Sequence, residues 1–441
     1  MKPLLVKDGH IIDPCLGIDE TGSLLIKAGK ISWLGRGDET PPRTDYDILP
    51  VKGLIVCPGF IDLHCHLRQP GFENKETIET GSRAAARGGF TTVCCMPNTN
   101  PPLDNKSSIE YVKAEAEKAG LVRVLPVGCV TEGRMGEKLA PLAELAEAGV
   151  IGYSDDGDPV MNGRLMLEAL RYSRQSGLPI IDHCEDKVLA GDGVMNLGRL
   201  SFELDLKAIA AAAEEIMVAR DVALAGMTGG WLHIAHVSTA ESVNIIRRAK
   251  QAGIRVTAEV TPHHLTLTEE SAKNYNANAK VNPPLRTDGD VRALIQGLKD
   301  DVIDIIATDH APHTEAEKSA GFTQAPSGIS GFETALGSLM GLVDSGQLSL
   351  TVLISKLTCG PALVIGNRYG KLGTMAKGTP ADITVFDPDK EWQVEIKEFA
   401  SKGRNTPLAG SKLKGRVMAT IFNGEMVYRD KSISIKEAIK Q

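Results

Sequence analysis

The sequence predicts an α/β protein in which a (β/α)8 TIM barrel carries a small β-sandwich domain formed from both chain termini. Eight apolar, strand-like runs occupy the middle of the chain, and Ala-rich amphipathic helices separate many of them. Short β-like segments bounded by Gly, Asp or Pro lie at both ends. Apolar strands that alternate with helices indicate a parallel sheet covered on both faces, and eight of them favour closure into a barrel.

The predicted elements follow in a regular order. The eight strand runs are GFIDLHCH, FTTVCCMP, VRVLPVG, VIGYSDD, LPIIDHC, WLHIAHVS, IRVTAEVT and VIDIIATDH. The helix TAESVNIIRRAKQAG is expected to begin with a capping box between Ser238 and Glu241 and to stop at Gly253. We therefore place the barrel at residues 58–365 and the small domain at residues 1–57 and 366–441.

Composition and charge argue against nucleic-acid-binding and membrane-spanning classes of protein. The 441 residues are 42% hydrophobic and 24% charged, and the net charge of −7 offers no basic patch, so no nucleic-acid partner is expected. No apolar run is long enough for a membrane span and no signal peptide is recognised, which predicts a cytoplasmic protein. The eight cysteines form no C-x-x-C pair and mostly lie in apolar runs, so we expect buried reduced thiols.

Residues with metal-ligand chemistry lie where the predicted strands end. In a barrel of this kind, the carboxyl ends of the strands surround the active site. His-x-His on a strand places both imidazoles on one face, because side chains alternate with a period of two. Only one of the two aspartates after the fourth strand can point into the barrel mouth, and the pattern does not say which. The candidates are His64, His66, Asp155, Asp156, His183, His236, Asp309 and His310.

Each histidine also has an ordinary structural interpretation, and a single histidine at a strand end would favour it. Ligand chemistry at five strand ends together is difficult to explain by packing, because buried charges need partners. We therefore predict a binuclear metal site, with zinc favoured by nitrogen and carboxylate ligands. Structural roles are expected for the remaining candidates: Cys65 in the core, His10 on the surface, His233 on the other barrel face, and His263 and His264 around the ligands.

The assembled motifs resemble the amidohydrolase superfamily and, within it, the bacterial dihydroorotases. The resemblance spans the whole central domain. The matching motifs are PGFIDLHCHLRQPG (58–71), ETIETGSRAAARGGFTTVCCMPNT (76–99), SDDG (154–157), HCED (183–186), AHVST (235–239), VTAEVTPHHL (256–265), NPPLR (282–286) and ATDHAPH (307–313).

The resemblance implies a role for each candidate. His64, His66 and Asp309 resemble the ligands of a first zinc ion, and His183 and His236 those of a second. Many relatives bridge the ions with a carboxylated lysine, which this chain lacks; the resemblance instead points to Asp156. Asp309 matches the general acid/base that works with a metal-bridged hydroxide.

The resemblance also implies a substrate. Arg68 would bind a substrate carboxylate through two parallel hydrogen bonds. Asn98, Asn282 and His313 match the remaining substrate contacts, although each asparagine alone could be a turn residue beside a proline.

The expected activity is that of a zinc-dependent dihydroorotase. It would reversibly cyclise N-carbamoyl-L-aspartate to (S)-dihydroorotate and water in de novo pyrimidine (UMP) biosynthesis. A homo-oligomer and a complex with aspartate carbamoyltransferase are further expectations. The alternatives are a hydantoinase, dihydropyrimidinase or allantoinase on the same barrel, and a non-catalytic scaffold for the transferase. The absence of the bridging lysine and the presence of Arg68 argue against the first group. The presence of all four ligand histidines argues against the scaffold.

Overall fold

A computed structural model describes residues 2–37, 39–42 and 45–437. Within these residues the strands are β1 (Leu4–Asp13), β2 (Ile18–Lys27), β3 (Lys30–Arg36), β4 (Asp47–Pro50), β5 (Ile55–Pro58), β6 (Phe60–Cys65), β7 (Phe90–Cys95), β8 (Arg123–Pro126), β9 (Ile180–Asp182), β10 (Met195–Asn196), β11 (Ala208–Ile209), β12 (Leu232–Ile234), β13 (Val256–Val260), β14 (Ile305–Ile306), β15 (Ile383–Gln393), β16 (Lys412–Phe422), β17 (Glu425–Arg429) and β18 (Lys436–Glu437). The helices are α1 (Ile78–Arg87), α2 (Lys106–Ala119), α3 (Leu142–Ala148), α4 (Gly163–Ser176), α5 (Lys187–Ala190), α6 (Arg199–Glu203), α7 (Ala212–Thr228), α8 (Ala240–Gln251), α9 (Pro262–Thr266), α10 (Asp288–Lys299), α11 (Glu315–Lys318), α12 (Ala335–Asp344), α13 (Leu350–Leu357) and α14 (Cys359–Ile365).

The parallel strands of the central region pair in a closed circuit, which we call the parallel ring. One sheet has the order β6-β7-β8 and another has the order β14-β13-β12-β9. Single bridges join them, from Gly128 through Tyr153 to Ile180 on one side and between Cys65 and His310 on the other. The predicted α/β class is confirmed. Seven of the eight predicted runs contain a strand, whereas the fourth contributes only the bridge residue Tyr153.

Helices cover the outside of the ring because their apolar faces need burial. Helix α8 shows how local sequence fixes such an element: it buries Val243, Ile246 and Ala249. The predicted capping box of this helix is wrong. Thr239 is the N-cap, and its hydroxyl accepts from the Ser242 N–H, because the hydroxyl of Ser238 is already bonded to Glu214.

Both chain ends contribute to a single nine-stranded sheet. Its main path is β17-β16-β15-β5-β1-β2-β3; β4 pairs with β1, and β18 pairs with β4. The antiparallel β5–β15 pair joins the two ends of the chain, with Cys57 opposite Thr384. Gly59 connects this sheet to β6, and a side chain there would collide with Thr91. The predicted domain boundaries remain a prediction.

The cysteine prediction is wrong for one pair. Cys57, Cys65, Cys94, Cys95, Cys129 and Cys184 are buried free thiols, as expected. Cys15 and Cys359, however, form a disulfide with their Cα atoms 6.0 Å apart. Cys15 lies in the turn after β1, and Cys359 begins α14. Their separation of 344 residues explains why spacing along the sequence does not reveal the pair.

One segment of the described residues, Leu350–Tyr369, is long and apolar enough to cross a membrane by length and composition. Half of this stretch is buried inside the protein. The chain also leaves helical geometry within it, at Thr358. The segment therefore has the character of core helices packed against the ring.

Candidate metal centre and active site

The predicted site residues converge at one end of the parallel ring. They line a cavity of about 250 Å³ whose walls come from the ends of different strands. His64 lies just below this cavity and is fully buried. The cavity is lined by His66, Arg68, Asn98, Asp156, Gly157, His183, His236, Asn282, Asp309, Ala311, His313, Ser327 and Gly328.

The two histidines of the His-x-His motif present the same ring nitrogen to the cavity. His64 donates from Nδ1 to Glu259 Oε1 at 2.6 Å, and His66 donates from Nδ1 to Asn98 Oδ1 at 2.9 Å. Each Nε2 atom is thereby left facing the cavity, where it can bind a metal ion. The His66 Nε2 lies 3.0 Å from Asp309 Oδ1, and the His64 Nε2 lies 3.7 Å from the same oxygen. As predicted from the alternation of side chains along the strand, both imidazoles lie on one face. There they both face Asp309.

The structure distinguishes the two neighbouring aspartates. Asp156 Oδ1 lies 3.3 Å from His64 Nε2, 3.8 Å from His236 Nε2 and 3.9 Å from His183 Nδ1. Asp155 turns away, and its carboxylate accepts from the backbone N–H groups of Val130 and Thr131 and from the Thr131 hydroxyl. Asp156 is therefore the aspartate that lies between the two histidine pairs.

The second histidine pair comes from the ends of β9 and β12. His183 Nδ1 and His236 Nε2 face each other at 2.8 Å. The His183 Nε2 atom lies 3.3 Å from the Asn282 side-chain nitrogen, which fixes the ring from the other side. His236 has a φ of 32°, a left-handed conformation that residues other than glycine rarely adopt. Such strained backbone is often found at functional sites.

The donor set fits divalent metal ions. Two groups of buried side chains, His64 with Asp156 and His236, and His64 with His66 and Asp309, have ligand atoms within 4.8 Å of one another. His64 Nε2 and Asp156 Oδ1 are buried and have no hydrogen-bond partner in the described part of the protein. Lone pairs of nitrogen and oxygen that face each other repel, unless a proton or a metal ion lies between them. Imidazole and carboxylate ligands suit zinc.

The electrostatics of the cluster also favour a cation. Burial lowers the pKa of His64, but the charges of Asp156 and Glu259 outweigh burial and hold that pKa well above its usual range. Burial raises the pKa of Asp309, but His66, His64 and His236 bring it below its usual value. Burial and the neighbouring His236 lower the pKa of His183 to about 4. His183 is thus neutral at pH 7, as a metal-binding imidazole must be.

A cationic group lies at the rim of the same cavity. Arg68 donates from Nε to the Pro312 carbonyl at 3.2 Å, and one of its terminal nitrogens lies 3.3 Å from His313 Nε2. The His313 Nε2–H donates to the Ser327 carbonyl at 2.9 Å. Burial, together with the positive charges of Arg68 and Lys75, lowers the pKa of His313 to about 3. Arg68 is therefore fixed beside a neutral imidazole and keeps donors available for an anion.

Two buried residues next to the ligands were missed or misplaced by sequence reasoning. Glu259 was not predicted, although it lies in the quoted VTAEVT motif. His233 was placed on the other barrel face, but it lies inside the ring and contacts Glu259 Oε2 at 3.2 Å. The period of two fails here because β12 ends at Ile234 and the chain turns sharply at His236.

The other histidines have structural surroundings. His310 stacks on Phe332 and lies 3.4 Å from Glu76. His264 bonds to the Thr261 hydroxyl and donates to the Pro283 carbonyl. His10 lies within β1, is exposed as predicted and bonds to Asp19. Cys65 is buried in the core as predicted.

Comparison with solved structures identifies the fold. The structure of L-hydantoinase (dihydropyrimidinase) from Arthrobacter aurescens has a TM-score of 0.85 and covers 99% of this chain and 98% of that one. The two sequences are 23% identical, so the likeness shows the fold alone. This chain therefore has the fold of that hydantoinase, with a cluster of buried histidines and carboxylates at one end of its parallel ring.

Sequence relatives define the family. A family model described as dihydro-orotase-like matches residues 53–242. A dihydroorotase from Pelobacter propionicus is 50% identical over 426 residues, which cover 97% of this chain and 99% of that protein. Another, from Pelotomaculum thermopropionicum, is 51% identical over 431 residues, covering 98% and 99%. The chain belongs to the dihydroorotase family.

Proposed function

We propose that this chain is a zinc-dependent dihydroorotase that interconverts N-carbamoyl-L-aspartate and (S)-dihydroorotate in pyrimidine biosynthesis. The observation that carries the proposal is the position of Asp156 between two histidine pairs, in a cavity with Arg68 at its rim. The near full-length identity to dihydroorotases supports the same reaction. His64, His66 and Asp309 are proposed for one ion, His183 and His236 for the other, and Asp156 as the bridge.

The side chains of the cavity divide the chemistry between them. When bound, two divalent ions supply Lewis-acid activation of water and of the amide carbonyl. In the hydrolytic direction, the Asp309 carboxylate takes a proton from the attacking water and returns it to the leaving ring nitrogen. In the direction of cyclisation, the same carboxylate takes the proton from the attacking nitrogen and returns it to the carboxyl oxygen whose C–O bond breaks, and this oxygen leaves as water after a second proton arrives from solvent. Asn98 and Asn282 both line the cavity, and their neutral amide groups are proposed to contact the substrate.

Replacing Arg68 tests the recognition of the substrate carboxylate. Arg68→Ala is expected to raise KM by about 10- to 100-fold, because a hydrogen bond to a charged group contributes about 1.5–3 kcal/mol. Zinc content should stay at the wild-type value, since Arg68 touches none of the proposed ligands. Arg68→Lys keeps the charge but loses the paired geometry, so its KM should be intermediate. Steady-state kinetics measure KM, and metal analysis measures the zinc content of the same samples. A large loss of zinc from Arg68→Ala would contradict the proposed role in substrate binding.

A substrate panel separates dihydroorotase from related activities. The purified chain should cyclise N-carbamoyl-L-aspartate and hydrolyse dihydroorotate, and it should act far more slowly on hydantoin and allantoin. The reason is that an uncharged ring leaves Arg68 without an anion to bind. Preference for an uncharged ring would overturn the assignment. A scaffold would purify without zinc, so metal analysis of the same preparation tests that alternative.

Several finer expectations stand as proposals. The parallel ring and the nine-stranded sheet support a (β/α)8 barrel with a β-sandwich domain, divided at residues 1–57 and 366–441 against 58–365. Two zinc ions per subunit are expected from the two overlapping ligand groups. A homo-oligomer, a complex with aspartate carbamoyltransferase and a cytoplasmic location remain predictions.

A further inference from the structure

The carboxylate of Glu259 lies fully buried beneath the proposed metal centre. Its Oε1 accepts from His64 Nδ1 at 2.6 Å and from the His236 backbone N–H at 3.3 Å, and its Oε2 accepts from His233 Nε2 at 3.2 Å. In the described residues, neither a lysine nor an arginine forms an ion pair with it. A buried carboxylate needs compensation for its lost hydration. Here that compensation comes from histidines and backbone.

The protons along this chain of contacts can all be placed. The Trp231 indole N–H donates to Thr257 Oγ1 at 3.0 Å. The Thr257 hydroxyl is then free to donate to His233 Nδ1, at 2.8 Å. His233 carries its proton on Nε2, because the Glu259 carboxylate that this atom faces can only accept. Glu259 accepts on both oxygens, which leaves His64 protonated on Nδ1.

This arrangement determines what His64 presents to the cavity. With its Nδ1–H bonded to Glu259, His64 turns Nε2 toward Asp156 and Asp309, and this is the atom that neutral His64 offers to a metal ion. Through the His236 N–H, the same carboxylate also holds the segment that carries a ligand of the other proposed ion. Glu259 is thus one anchor for both ligand sets.

We propose that Glu259 is a positioning residue of the metal centre, which fixes the tautomer and orientation of His64 and is itself oriented by His233. The inference rests on the proposed function, because it needs a metal at the cluster. Carboxylates behind metal-binding histidines commonly raise metal affinity by about 10- to 100-fold. Glu259 thus places a third negative charge near the metal centre, in addition to those of Asp156 and Asp309. The histidine ligands are neutral when they bind metal.

The test measures zinc affinity directly. Wild-type protein and Glu259→Gln are stripped of metal, and zinc is titrated back in competition with a chromogenic chelator. Glu259→Gln is expected to bind the more weakly held zinc about 10- to 100-fold less tightly. Glu214→Gln is the matched control, because Glu214 is also buried but bonds to Ser238 and Thr239 instead of a proposed ligand. The control should lose stability and keep its zinc affinity.

The possible outcomes test the proposed function and the positioning role of Glu259 separately. If the wild-type protein binds no zinc, the proposed function fails. If the wild type binds zinc and Glu259→Gln binds it equally well, the positioning role fails and the function stands. Should Glu259→Gln not fold, His233→Leu decides, because it removes one of the donors that orient Glu259. Unchanged zinc affinity in a folded His233→Leu protein would then overturn the inference.

Discussion

Asp309→Asn is expected to lower kcat by about 10²- to 10⁴-fold, the usual contribution of a general acid/base. An asparagine cannot accept and return the proton, whichever direction the reaction runs. Asp309 lies 3.0 Å from His66 Nε2, and its histidine neighbours keep its pKa low, so it is ionised and able to accept a proton at neutral pH. Zinc should remain bound, because Asp156 and the histidine ligands are unchanged.

The measurement combines turnover of N-carbamoyl-L-aspartate with metal analysis of the same sample. Asp158→Asn is a suitable control, since Asp158 is half-exposed and pairs with Arg134 near the cavity mouth. This control should turn over at close to the wild-type rate. Full activity in Asp309→Asn would falsify the acid/base role. Loss of zinc in Asp309→Asn would instead assign Asp309 chiefly to metal binding.

Asp156→Asn is expected to abolish activity through loss of metal. The Asp156 carboxylate lies between His64, His183 and His236, and both of its oxygens face histidine nitrogens. A neutral amide supplies one oxygen donor in place of two and removes a negative charge from the proposed bridge. Zinc content should therefore fall clearly below that of the wild type, together with turnover.

The neighbouring Asp155→Asn provides a stringent control, because it makes the same chemical change one residue away. Asp155 accepts three hydrogen bonds from Val130 and Thr131 and faces none of the proposed ligands. Its replacement should reduce the free energy of unfolding by about 1–3 kcal/mol. Zinc content of the folded protein should not change. Equal zinc loss in both variants would show that the assignment of Asp156 is wrong.

Much of this site follows from short-range pattern. Strand geometry alone places His64 and His66 on one face, because alternation is a property of the extended backbone. The alternation of strands and helices places their ends at one side of the ring, which brings Asp309 to His66 from 243 residues away. The resemblance indicated Asp156 as the bridge. The structure supports that choice through the distances from Asp156 to His64, His183 and His236, which residue spacing along the chain does not give.

Where the backbone departs from regular geometry, sequence patterns mislead. His233 and His236 are three residues apart, so a regular strand would place them on opposite faces. The positive φ of His236 breaks that alternation, and both residues reach the interior of the ring. The fourth predicted strand is likewise reduced to the single bridge residue Tyr153, after which the chain turns to direct Asp156 into the cavity.

By itself, the sequence predicted the α/β class, the order of the apolar runs along the chain and a set of candidate ligands. These depend on local periodicity and on residue chemistry, which the chain carries at every position. Only the tertiary structure decided the separate roles of Asp155 and Asp156, the place of Glu259 behind His64 and the pairing of Cys15 with Cys359. Those features depend on contacts between distant segments, and such contacts are fixed by the packing of the whole chain.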